Sequence, residues 1–164
     1  SGLAIAPNGE LFVSDGYGGN RVHKFSADGE LLLSWGSRGD GPGEFALLHN
    51  IWVDKDSRVF ICDRENNRLQ LFDDQGNFLE EWTGMRMPGD LWITDDTVYV
   101  IEQGPGSGVS IWSIDGTLIT RWYGNEGAGE GTILSGHGIC VDSQGSIYVT
   151  EIGDGQRVSK FQRI

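Results

Sequence analysis

Two of the three histidines in the chain stand where an imidazole could bind a metal ion. His49 and His137 each open a copy of a repeated sequence, at the start of a predicted innermost strand. In a six-bladed ring, alternate copies would lie about 120° apart, and a third histidine one copy before Ser1 would complete a three-imidazole zinc site. In a closed four-bladed ring the two histidines would instead face each other and form a weak site. The alternative is that both histidines only cap their strands.

Tyr17 and Arg64 are the other candidates for chemistry, because each lies in the loop that follows the second strand of its repeat. Corresponding loops of neighbouring sheets lie on one face, so a phenol and a guanidinium could meet there. A tyrosine beside cations can act as a general base, and an arginine can hold a carboxylate or an amide oxygen. The alternative is that Arg64 pairs with Asp63 or Glu65 and Tyr17 only covers its loop. His23 lies in the alternating segment RVHKF and is expected to be packed or solvent-facing.

These candidates belong to a sequence pattern that occurs four times. Its clearest copy is HNIWVDKDSRVFICDRENNRLQLFDDQGNFLEEW, residues 49–82, in which four short strand-like segments are separated by turn residues. A period of roughly 40 to 50 residues with four strands per repeat is typical of a β-propeller blade. A tryptophan and an acid each recur at one position of the pattern: Trp35, Trp82 and Trp122, and Asp15, Asp63, Glu102 and Glu151.

We therefore predict an all-β chain, a β-propeller of four-stranded blades with about four blades. It is expected to form a single domain over residues 1–164, with repeats over about 1–48, 49–88, 89–136 and 137–164. Little or no helix is expected, since no window shows a sustained period near about 3.6 residues. Recurrence of the acids in every repeat indicates an architectural role, in which they accept hydrogen bonds between blades.

The two ends of the chain leave strand edges without a predicted partner. The chain begins on an inner strand, and the fourth repeat stops after its third strand. Open edges and apolar faces favour association unless something covers them. Flanking sequence could cover them, copies of the chain could complete one another, or four blades could close alone. The expected partners are a peptide or protein ligand, or a second copy bound through open blade edges.

The charge and composition exclude several other partners. The net charge of −12 argues against nucleic acid and against an anionic membrane surface. No segment has the roughly 18 apolar residues of a membrane span, and the composition does not assign a compartment. Cys62 and Cys140 fall in predicted strands of different repeats, which favours two buried thiols over a disulfide.

Three segments resemble the NHL-repeat propellers: SDGYGGNRVHKF, the tract WGSRGDGPGEF that precedes His49, and CDRENNRLQLF. More narrowly, they resemble the peptidylglycine alpha-amidating lyase family. The resemblance implies a six-bladed propeller that cleaves peptidyl-alpha-hydroxyglycine into a peptide amide and glyoxylate. It further implies zinc as cofactor, with His49 and His137 as two ligands, Tyr17 as the base and Arg64 as an active-site arginine that binds substrate.

The resemblance also has gaps. The family's first zinc histidine and a second arginine would lie in blades before Ser1, so this chain carries at most half of the site and is not expected to be active alone. Gly138 stands where the family has a calcium-binding acid, so calcium is not expected. The alternative function is a noncatalytic NHL scaffold that binds peptides or proteins, or assembles with itself.

Overall fold

The structure, a computed structural model, describes residues 1–124, 131–153 and 155–162. The chain divides into two compact units, Ser1–Met87 and Pro88–Ile164, which we call the N-terminal and C-terminal units. The described residues form antiparallel sheets and contain one short 3-10 turn, Arg64–Asn66, so the expected all-β fold with little helix is confirmed. No described helix has the length and apolarity needed to span a membrane.

The N-terminal unit contains two four-stranded sheets with the consecutive strand order of a propeller blade. A short parallel pair lies in the connection between them. The first sheet comprises β1 (Gly2–Ile5), β2 (Leu11–Asp15), β3 (Arg21–Phe25) and β4 (Leu31–Trp35). The parallel pair is β5 (Ser37–Arg38) and β6 (Glu44–Phe45). The second sheet comprises β7 (Leu48–Val53), β8 (Val59–Asp63), β9 (Arg68–Phe72) and β10 (Phe78–Trp82).

The C-terminal unit repeats this arrangement with one four-stranded and one three-stranded sheet. Both are antiparallel meanders in which each strand pairs with the next along the chain. The four-stranded sheet comprises β11 (Pro88–Thr94), β12 (Thr97–Glu102), β13 (Gly108–Ser113) and β14 (Leu118–Tyr123). The three-stranded sheet comprises β15 (Gly136–Val141), β16 (Ile147–Glu151) and β17 (Val158–Phe161).

The recurrent tryptophan joins neighbouring sheets within each unit. Trp35, at the end of β4, packs against Phe72 of the second sheet with ring centroids 5.8 Å apart. Trp122, at the corresponding place in β14, packs against Phe161 with centroids 5.9 Å apart. Aromatic pairs at this separation contribute about 0.5–1.5 kcal/mol beyond the area that they bury. The repeat therefore encodes the contact between sheets as well as the strands themselves.

The recurrent acid tethers the connection that enters its sheet. Asp63 is fully buried, and its Oδ1 accepts a hydrogen bond of 3.0 Å from the backbone amide of Ala46. Arg68, also buried, donates to Asp63 Oδ2 at 2.9 Å and to the carbonyls of Gly41 and Glu44. The acid thus has an architectural role at this position, but its bonds join the second sheet to the connection that enters it and do not reach the neighbouring sheet. Asp15, the corresponding acid of the first repeat, is exposed.

Glu151 repeats the arrangement in the C-terminal unit. Its carboxylate accepts from the backbone amide of Leu134 at 2.7 Å, from Arg157 Nε at 2.7 Å and from Ser159 Oγ at 3.0 Å. Burial alone would raise the pKa of this carboxyl, but the bonds from Arg157, Leu134 and Ser159 outweigh it and lower the pKa below 4.5. The charged form is therefore the one that the fold stabilises.

One sequence expectation is wrong. Cys62 is buried as predicted, whereas Cys140 is exposed, and both are free thiols. Burial alternates along β15, with Ile139 and Val141 buried and Cys140 between them pointing away from the apolar cluster. An apolar run read as a fully buried strand is here buried on one face only.

Candidate functional site

Tyr17 and His49 come together in the N-terminal unit. Their ring centroids are 6.1 Å apart with an interplanar angle of 65°, an edge-to-face arrangement. His49, on β7, is 6% exposed, while Tyr17, in the loop after β2, is 69% exposed. The imidazole is therefore buried, while the phenol beside it is accessible from solvent.

The backbone of residues 47–49 brings both loops to this place. The amide of Arg64 donates to the carbonyl oxygen of Leu47 at 2.9 Å. Leu48 pairs with Asp63, and the register then shifts before Ile51. On the other side, a side chain at Gly16 would collide with the carbonyl of Leu48, so the Tyr17 loop lies directly on this backbone. The candidate base and the candidate arginine thus flank the same short segment.

Arg64 begins the 3-10 turn that follows β8 and lies at the rim of this site. Its Nε and Nη2 contact Glu65 Oε1 at 3.0 and 2.9 Å, so the pairing considered as a structural alternative is present. The Arg64 side chain is 17% exposed and that of Glu65 is 42% exposed. Because the Glu65 carboxylate is exposed to solvent, an anionic ligand can compete with it for the guanidinium.

His137 is the second residue of β15 in the C-terminal unit, at the position that corresponds to His49. It is half-buried, and its carbonyl oxygen lies 3.5 Å from Gln103 Nε2. Beside it, Asp90 Oδ2 accepts the amide of Ile139 at 2.9 Å. His23, on β3, hydrogen-bonds Ser34 Oγ through Nδ1 at 2.7 Å, as expected for a packed histidine.

Comparison with known proteins shows which sequences the repeats resemble. The DUF5128 family model, described as a 6-bladed beta-propeller, matches residues 5–83. The Homo sapiens "NHL repeat-containing protein 3" is 35% identical over 105 residues, which cover 60% of this chain and 30% of that protein. The repeats are therefore similar in sequence to NHL repeats, and the sheets that they form have the strand order of β-propeller blades.

The repeats are also similar in sequence to part of a probable amidating lyase. The Caenorhabditis elegans "Probable peptidyl-alpha-hydroxyglycine alpha-amidating lyase pgal-1" is 37% identical over 73 residues, which cover 43% of this chain and 21% of that protein. The matched segments thus span less than a third of either relative. Among solved structures, Kuenenia stuttgartiensis hydrazine synthase superimposes with a TM-score of 0.78 at 14% identity, covering 98% of this chain and 45% of that one. A likeness at this identity concerns the fold alone.

Two residues of the inner strands were missed in the sequence interpretation. Asn50 on β7 and Asp90 on β11 occupy the second position of the repeat alignment, where the other two repeats have glycine. Asn50 lies against Gly2 of the neighbouring sheet, and Asp90 reaches the amide of Ile139. The signal was available, since a polar side chain facing a glycine across sheets can bond the backbone that the glycine leaves accessible.

The family resemblance implies a zinc ion, and the described side chains can be tested for a group that would bind one. A catalytic zinc takes three protein ligands, and among the residues that the structure describes no three His, Cys, Asp or Glu side chains are grouped to hold a metal ion. The described side chains therefore do not make up a zinc site by themselves. Zinc ligation by His49 and His137, with further ligands from elsewhere, stays a prediction.

Proposed function

We propose that this chain supplies part of the active site of a lyase that cleaves peptidyl-alpha-hydroxyglycine into a peptide amide and glyoxylate. The observation that carries the proposal is the accessible Tyr17 ring packed against the buried His49 imidazole. The similarity to a probable lyase of this specificity supports it. The remaining groups of the site would come from blades beyond this chain.

Tyr17 is proposed to take the proton of the substrate's hydroxyl group. The oxygen's electron pair then forms the carbonyl of glyoxylate while the bond between the alpha carbon and the amide nitrogen breaks. The nitrogen keeps the electrons of that bond and receives a proton, which gives the peptide amide, and no water or oxidant is consumed. His49, held under the Tyr17 ring, would fix the position of the phenol.

Arg64 is proposed to bind the carboxylate of the substrate and of glyoxylate. A guanidinium offers two parallel donors to a carboxylate, and its present partner, Glu65, is an exposed carboxylate of the same kind. The carboxylate of the ligand would take the place of the Glu65 carboxylate on the Arg64 guanidinium. Binding should therefore depend on the ligand's negative charge.

Arg64→Gln is expected to weaken binding of an N-acyl-alpha-hydroxyglycine about tenfold, because a charge-assisted hydrogen bond is lost. The measurement is a titration of the chain followed by the NMR resonances of Tyr17 and His49. Arg58→Gln is the matched control, because Arg58 pairs with Asp54 at the opposite end of β8. Equal affinity for the uncharged amide of the ligand, or an equal loss in both variants, would contradict the role of Arg64.

A noncatalytic scaffold is the second candidate, and exposed apolar side chains on β1 favour it. Leu3 and Ile5 are 61% and 66% exposed and form a shallow cavity with Trp52 and Val53. Such a face binds a peptide, a protein or a second copy of the chain well. Scaffold binding would leave the Tyr17 and Arg64 site without a role.

Native mass spectrometry with and without zinc separates the two candidates. The lyase proposal expects bound zinc that is lost in both His49→Ala and His137→Ala and retained in His23→Gln, since His23 is bonded to Ser34. The scaffold proposal expects a defined, metal-free oligomer that dissociates when Ile5 is replaced by aspartate. A metal-free monomer would contradict both self-association and zinc binding by this chain alone.

A further inference from the structure

The third repeat contains a notch beside its first hairpin. The pairing of β11 with β12 continues to Thr94 and Thr97, so Asp95 and Asp96 form the turn. Ile93 pairs with Val98 here, whereas the corresponding pairs, Val53 with Val59 and Val141 with Ile147, each enclose one more residue. Beside the turn at 142–146, the shorter hairpin leaves a cavity of about 510 Å³ within the C-terminal unit.

The side chains around the notch are aromatic and acidic. Trp92 and Tyr99 are directly opposite each other across β11 and β12, and both are half-buried and line the cavity. Asp95, in the turn, is exposed. The lining residues include no lysine or arginine, so the field in the notch favours a cation.

The second acid of the notch already has partners. Asp142 Oδ1 accepts the amides of Gln144 and Ser146 within its own turn. Its Oδ2 accepts from Tyr148 at 3.0 Å and lies 3.6 Å from Lys160 Nζ. Asp142 therefore stabilises the turn that lines one side of the notch. Asp95 is the carboxylate available to a ligand. Thr94 of the third repeat aligns with Asp142 of the fourth. The acidic residue of the third repeat is the next one, Asp95, which lies in the turn.

We propose that this notch binds an arginine side chain of a partner polypeptide. A guanidinium is planar, so it can lie against the Trp92 and Tyr99 rings while its edge donates two hydrogen bonds to Asp95. A lysine ammonium would gain the charge pairing but not the stacking. The notch follows the C-terminal end of β15, whereas His137 is near the start of that strand, so this site is independent of the proposed lyase chemistry.

The test is an NMR titration of the intact chain with N-acetyl-Gly-Arg-Gly-amide, following the Trp92 indole N–H. Trp92→Phe identifies that resonance by its loss and keeps an apolar ring at the strand position. A saturable shift is expected, with weaker binding of the peptide in which neutral citrulline replaces arginine. Equal affinity for the citrulline peptide, or no saturable shift, would overturn the proposal.

Asp95→Asn should weaken arginine-peptide binding about threefold to fivefold, the range of a solvent-exposed ion pair. Asn is well suited to the positive φ of 47° at this residue, so the turn is preserved. Asp56→Asn is the matched control, because it removes the same charge from the corresponding turn of the second repeat and should leave the affinity unchanged. An equal loss in both variants would mean diffuse attraction to an acidic chain and would refute a defined site.

Discussion

Asp63→Asn is expected to lower the free energy of unfolding by about 3–5 kcal/mol, the cost of removing one partner from a buried ion pair. Asp63 has a fully buried side chain, and both oxygens accept hydrogen bonds, from Ala46 on one side and from Arg68 and Asn66 on the other. An amide keeps the shape but presents an N–H where an acceptor is needed. It also removes the buried counter-charge of the Arg68 guanidinium, 7% exposed, and leaves that group with its ion pair to the partly exposed Glu81 at 2.6 Å.

Asp15→Asn is the control, because Asp15 holds the same position in the first repeat but is exposed. It should change stability by no more than about 0.5 kcal/mol, as most surface substitutions do. Urea unfolding at neutral pH, followed by tryptophan fluorescence, measures both variants. Similar effects in the two would mean that the recurrent acid acts through local strand structure and not through the connection that it tethers.

The contrast between Asp15 and Asp63 also shows what the sequence could and could not predict. Repetition identified the acid position, and turn residues with alternating apolar residues located the strands, because both signals are local. The surroundings of each copy depend on residues distant in sequence. Asp63 is buried because the connection through Ala46 folds over it. No pattern within the repeat predicts this contact.

For the candidate site, too, the sequence indicated positions within the repeat but not the surroundings of each side chain. Aligning the repeats placed Tyr17 and Arg64 in corresponding loops, but it did not predict that the Tyr17 ring contacts His49. The alignment could not show that Arg64 already pairs with Glu65, since a neighbouring acid is as compatible with a structural pair as with a replaceable one. Nor could it show the notch beside Trp92, which arises from a hairpin one residue shorter.

Gly16→Ala is expected to separate Tyr17 from His49 and to cost about 1–3 kcal/mol of stability, the usual cost of overpacking. A methyl group at Gly16 would collide with the carbonyl of Leu48. The collision is between the loop at Gly16 and the backbone of β7, and backbone cannot move aside as a flexible side chain can. The loop must therefore move away from β7. This movement removes the ring contact on which the proposed base depends.

Gly18→Ala makes the same chemical change two residues along the same loop, where an added methyl group meets nothing within 4 Å. It should leave both the stability and the Tyr17–His49 contact intact. The readout is the nuclear Overhauser effect between the two rings together with the chemical shifts of His49, which sense the ring current of the tyrosine. If Gly16→Ala preserved these signals, the loop would be adaptable and glycine would not be needed there. If Gly18→Ala also abolished them, the contact would depend on the flexibility of the whole loop, and the close approach of Gly16 to Leu48 would not be what positions Tyr17.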